Sequence, residues 1–127
     1  MQPIDLDSAF ARLTALAQAR ALPGLTQATS YGTPALKVAG VSFARLDDVD
    51  TLVLQCPEEQ KALLMEISPD IYFETPHYVG HPVVLIRLGA IADEELALRL
   101  EDAWRFKAPA RLAAQHASPG VSDQDKA

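Results

Sequence analysis

The chain has 127 residues, a hydrophobic fraction of 49% and a formal net charge of −6. This is enough for one packed domain and too apolar for an intrinsically disordered chain. No run of about 18 apolar residues exists to span a membrane, the acidic balance opposes non-specific attraction to nucleic acid or anionic lipid, and a lone Cys56 rules out an internal disulfide or a thiolate metal cluster.

The N-terminal residues carry Asp5 and Asp7 where a secretory signal would need positive charge before an apolar block. Together with the single cysteine, this sets the expectation of a cytoplasmic protein. Over Asp7–Ala21, Phe10, Leu13, Leu16 and Ala17 recur at helical spacing, Ser8 or Asp7 is the expected N-cap, and Pro23-Gly24 stops the helix. Three short strands follow at Ala35–Ala39, Val41–Leu46 and Thr51–Cys56, separated by Gly40 and by the polar turn Asp47–Asp50. Such short connections require antiparallel neighbours.

Pro57 suits the first turn of a second helix, with Glu58 and Glu59 at its positive end and Leu63, Leu64 and Ile67 as its apolar side. Ile71–Glu74 reads as a short strand or turn, Thr75–Pro82 as a loop, and Val83–Leu88 as the clearest strand of all. A long last helix is capped by Asp93 and faces inward through Leu96, Leu100, Ala103 and Trp104; Pro109 interrupts it, and Ala110–Ala114 adds a final turn. The expected organisation is one domain over residues 1–114 and a disordered tail over 115–127. The order α-β-β-β-α-β-β-α gives a two-layer α+β fold, an antiparallel sheet with helices on one face and the other face open.

Charge is spread unevenly. Eight acids and only Lys61 lie between Asp47 and Glu74, whereas Arg105, Lys107 and Arg111 stand in Ala103–Ala114 without an acid. Alternation sends Lys37 away from Leu36 and Val38, pairs Phe43 with Arg45 on one strand face, and groups Val83, Leu85 and Arg87 on another. Lys37, Arg45 and Arg87 would then gather on the open face, where arginine suits phosphate or carboxylate. Salt bridges to Asp47, Asp48 or Glu74 are the plainer alternative.

The loop Thr75-Pro76-His77-Tyr78-Val79-Gly80-His81-Pro82 carries two histidines four apart, the spacing of a helical zinc site. Pro76, Gly80 and Pro82 oppose a helix there, so a metal is not expected. A His77–Tyr78 pair on a rigid loop instead suits stacking on a ligand or a base, or anchoring of the loop itself. There is no nucleophile elbow, phosphate loop or dinucleotide fingerprint. Neither an enzyme nor a cofactor is expected.

Ser30-Tyr31-Gly32-Thr33-Pro34-Ala35-Leu36-Lys37-Val38, then Phe43-Ala44-Arg45-Leu46, then Thr75-Pro76-His77-Tyr78 with Gly80 and Pro82, resemble the MmcQ/YjbR family. Val83–Leu88 and Leu100-Glu101-Asp102-Ala103-Trp104-Arg105 with Ala108-Pro109 look like that family's C-terminal half, so the resemblance covers roughly Ala9–Leu112. It implies a YjbR-like fold of the kind shared with type III secretion chaperones, and a DNA-binding role through a double-wing arrangement of strands and helices. The positions that match the pattern include Tyr31, Lys37, Arg45, His77, Tyr78, Trp104 and Arg105. For DNA, the phosphate-binding set would be Lys37, Arg45, Arg87, Arg105, Lys107 and Arg111. The other reading is a module that binds a protein or small ligand on the open sheet face, as a monomer or homodimer. Trp104, at helical spacing from Leu100 and Ala103, is expected in the core.

Overall fold

A computed structural model describes residues 5–30 and 32–117. Helix α1 (Leu6–Ala19) leads into strands β1 (Leu25–Ser30), β2 (Thr33–Val38), β3 (Val41–Leu46) and β4 (Thr51–Gln55). Then come helix α2 (Glu58–Ile67), strand β5 (Tyr72–Phe73), a 3₁₀ turn (Pro76–Tyr78), strand β6 (Val83–Arg87) and helices α3 (Asp93–Lys107) and α4 (Ala110–Ala117). The fold is α+β, with every strand pair antiparallel in the order β1-β2-β3-β4-β6-β5. No helix among the described residues is long and apolar enough to cross a membrane.

The element order differs from the expected one by the whole of β1 and by a separate last helix, α4, where only a final turn was expected. The β1 sequence, Leu-Thr-Gln-Ala-Thr-Ser, pairs only with β2 at the sheet edge. An edge strand buries little, so it lacks the dense apolar run that marks β4 or β6. The caps shift as well. Asp5, not Ser8 or Asp7, caps α1, its carboxylate accepting from Ser8 N–H at 2.8 Å. Ala92 occupies the N-cap of α3, and Asp93, its first residue, pairs with Arg12 at 2.7 Å. The last helix runs through residues 115–117, which were expected in a disordered tail; His116 lies against Trp104 and Glu101 there. Residues 118–127 fall outside the described residues.

The main core lies between one sheet face and α1 with α3. Leu13 and Ala17 of α1 and Leu96, Leu100, Ala103 and Trp104 of α3 pack with Leu36, Ala44, Leu46, Leu54, Val84 and Ile86 of the sheet. Trp104 is buried, its indole N–H donating to the Pro23 carbonyl at 2.9 Å. Between β2 and β3 the register slips: Leu36 faces Ala44 but Lys37 faces Ser42, leaving Phe43 as the unpaired residue of a bulge. Phe43 therefore enters the main core beside Ala44 and does not share a face with Arg45.

α2 overturns its apolar pattern. Leu63 and Ile67 are 57% and 73% exposed, and the only fully buried residue of the helix is Lys61. The inward face is Lys61, Leu64 and Met65 because α2 lies beside the sheet end and the Thr75–Pro82 loop, where a cation has work to do.

Candidate binding cleft on the second sheet face

Register determines what the second face presents. Ala28 faces Ala35, Ala35 faces Arg45, Arg45 faces Val53, Val53 faces Leu85 and Leu85 faces Phe73. One transverse row thus crosses all six strands, with an arginine in a line of apolar residues. Val53, Val83 and Leu85 form a small second cluster, against which Phe73 and Tyr78 pack.

The loop over this face is built by backbone bonds and one lysine. Tyr78 N–H donates to Thr75 at 2.9 Å and His81 N–H to Tyr78 at 3.0 Å, while Cys56 N–H reaches Pro82 at 2.9 Å. The Lys61 ammonium, 2% exposed, donates to the carbonyls of Tyr78 (2.9 Å) and His81 (3.0 Å) and pairs with Glu74 at 2.6 Å. An ammonium has three N–H donors, and here each has an acceptor. A buried charge is tolerated only when paired and hydrogen-bonded in this way.

With its loop so held, Tyr78 accepts a hydrogen bond from Arg45 Nη2 at 2.9 Å. Arginine has no lone pair to offer, so the phenolic proton of Tyr78 must point elsewhere. Arg45 is 13% exposed, and its Nη1 lies 3.7 Å from the Asp47 carboxylate. His77 sits edge-on to the Tyr78 ring, centroids 4.6 Å apart at 87°. Between loop and sheet lies a cleft of about 580 Å³, with a β3 wall from Ser42 to Arg45, a floor of Val53 and Val83, and Gln55, His77 and Tyr78 around it.

Arg45, His77 and Tyr78 are therefore brought together, and the other expected site residues are not. Lys37 emerges on the same face but does not line the cleft. Arg87, beyond the intervening β4, stacks over Phe73 at 4.0 Å. Arg105, Lys107 and Arg111 belong to α3 and α4, on the helical side; Arg105 is bound to Glu101 at 2.7 Å and Lys107 lies over Phe106. Tyr31 lies outside the described residues. His77 and His81 are in a 3₁₀ turn and loop, and among the described residues no group of three or more His, Cys, Asp or Glu is placed to hold a metal. Burial pushes the Cys56 thiol up to about 11, so it stays protonated.

Two centres escaped the sequence. Lys61 and Glu74 were legible only as a cation and an acid in an acidic stretch; the available signal was Lys61 falling on one helical face with Leu64 and Met65. The second is Glu101 on α3, which accepts from Arg20 Nε (2.7 Å) and Arg105 Nη2 (2.7 Å), with His116 Nε2 at 2.9 Å. Burial would push this carboxyl up, but the hydrogen bonds from Arg20, His116 and Arg105 outweigh it and hold the pKa at about 2.

With this geometry in hand, comparison with known proteins places the chain. The YjbR family model matches residues 20–106, so the chain belongs to the YjbR family. Among curated relatives it is similar to an uncharacterised protein of Mycobacterium bovis and to two of Mycobacterium tuberculosis, each 40% identical over 55 residues. The matched segment is 43% of this chain, and the chain spans 43% of the length of those relatives. No solved structure matches. None of these relatives has a name that assigns an activity.

Proposed function

We propose that this YjbR-family protein is a binding module whose ligand occupies the cleft on the second sheet face. The ligand class that fits is a small molecule with a flat apolar body and a carboxylate or phosphate at one end. A volume of about 580 Å³ suits such a ligand. Val53 and Val83 would take the apolar body and His77 its edge. The carrying observation is the Arg45–Tyr78 pair: a guanidinium and a phenol whose proton is left to donate stand beside the apolar residues Val53 and Val83 in one cleft.

DNA binding is the reading attached to the family resemblance. It draws less support here, because the six cations offered for it divide between the sheet's second face and the helical side, and a phosphate track needs them on one surface. Titration of the protein with benzoate and with phenyl phosphate, followed residue by residue by NMR, tests the cleft. Shifts at Arg45, Val53, Gln55, Tyr78 and Val83 with a dissociation constant of about 1–10 mM are expected for such small probes. Arg45→Met should weaken binding at least about tenfold, the loss of one charge-assisted contact. No cleft shifts with either probe would overturn the reading. Micromolar binding of a duplex of about 20 base pairs, with log affinity falling against log salt at a slope near −3, would put DNA in its place.

A further inference from the structure

We infer that β1 is the edge through which two copies of this chain pair, antiparallel, into one continuous sheet. This rests on a region separate from the cleft. The sheet has two edges, and they are built differently. β5 has two residues, and its chain turns away through Glu74, Thr75 and Pro76, so that edge is short and flanked by a charge and a proline. β1 has six residues, none of them charged and none proline. Natural edge strands are usually blunted by lysine, proline, a bulge or covering structure. β1 has the first three of these devices in none of its positions: its pairing with β2 is continuous in register from Leu25 to Ser30, and the bulge lies one strand further in. In an antiparallel pair, alternate N–H and C=O groups of an edge strand point away from its partner.

The helix layer beside this edge agrees. Between α1 and β1 lies a shallow groove of about 410 Å³ lined by Phe10, Ala11, Thr14, Ala15, Gln18 and Gln27. Ala11 and Ala15 leave room for a second α1, and Phe10 offers it one large apolar side chain to cover while the strands pair beneath. Among the described residues Asp7 is the only charge lining the groove, and an antiparallel two-fold sends the two copies of Asp7 to opposite ends. Thr14 adds a buried hydroxyl oxygen without a hydrogen-bond partner among the described residues. A second copy fits better than a foreign peptide because the strand is neutral: it offers no charge by which to select another sequence, and on self-pairing it meets no like-charge repulsion.

Sedimentation of the full chain between about 1 and 200 µM, the range expected for a modest strand-and-helix interface, tests this directly. A concentration-dependent dimer is expected, with slow amide exchange at Leu25–Ser30 at high concentration that speeds up at least about tenfold on dilution. Thr26→Lys combined with Thr29→Lys should shift dimerisation at least about tenfold toward monomer, with an unchanged circular dichroism spectrum at dilution. A monomer across the whole range overturns the inference. So does a dimer whose β1 amides exchange at the same rate at both concentrations, since another surface would then be joining the copies. Should the double variant fail to fold, the wild-type exchange comparison decides alone.

Discussion

Two charged centres hold this molecule together, and they are near mirror images. Lys61 is one cation serving three acceptors, two loop carbonyls and Glu74. Glu101 is one anion serving three donors, Arg20, Arg105 and His116. They differ in setting. Lys61 is sealed from water at 2% exposure, whereas Glu101 is 13% exposed and its arginine partners reach solvent. The lysine fixes a loop whose apolar anchorage is the small Val53–Val83–Leu85 cluster under Tyr78, while the glutamate joins helices that already share the main core through Leu13, Leu100 and Leu112. Equal bond counts therefore predict unequal consequences: the sealed centre is indispensable, and the exposed one tunes stability with pH.

The largest effect should come from Lys61→Ala. Removing the buried ammonium takes the shared partner from two part-buried loop carbonyls and from Glu74, at a cost of about 3 kcal/mol, read as the shift in a urea-unfolding midpoint. A loss below about 1 kcal/mol would dissolve the contrast between the two centres. Loop amides over Tyr78–Val83 should lose exchange protection first.

Glu101 comes next. Its folded pKa of about 2 lies below its ordinary value of 4.5, so the unfolded chain binds the extra proton between those values. Its contribution is therefore complete above about pH 4.5 and is lost as the pH falls toward 2. Discounted for the exposure of its partners, it amounts to about 2 kcal/mol. Glu101→Gln should lower stability at pH 7 by that order and flatten this part of the pH–stability curve; an unchanged acid limb would assign it to other carboxylates. Glu74→Gln keeps an acceptor for Lys61 and loses the charge, for about 1 kcal/mol by the same denaturant titration. The smallest effect belongs to Arg105→Ala, an exposed pair one helical turn from Glu101, at about 0.5 kcal/mol in a thermal melt.

Much of the fold was legible because burial writes itself into sequence. The strands after Gly40 and after Asp50, the Val83 strand, and the inward face Leu96–Leu100–Ala103–Trp104 follow from periodicity that the core enforces. β1 was not legible, since an edge strand buries too little to demand an apolar pattern. α2 was misread for the complementary reason: its inward partner is a polar loop, so a lysine took the place a leucine was expected to fill. The site was half legible. His77 and Tyr78 stood out as chemistry on a rigid loop, and Arg45 as a candidate, but their meeting depends on register across β3, β4 and β6. The bulge that removes Phe43 from Arg45's side is a one-residue slip that alternation along a single strand does not encode.

The strand order β1-β2-β3-β4-β6-β5 also bears on the order in which the molecule forms. The β2–β3 reversal needs only Ala39 and Gly40, both with positive φ, and β3 reaches β4 through Asp47–Asp50. Such local pairings close with little loop entropy and are expected to be early, with φ-values highest around that hairpin. β6 instead inserts between β4 and β5 after a long excursion through α2 and the loop. Val83 and Tyr78 thus join after the meander, and the cleft, like the part of the core that β6 and α3 supply, waits for that step. A ligand that stabilises it should slow unfolding while leaving the folding rate almost untouched.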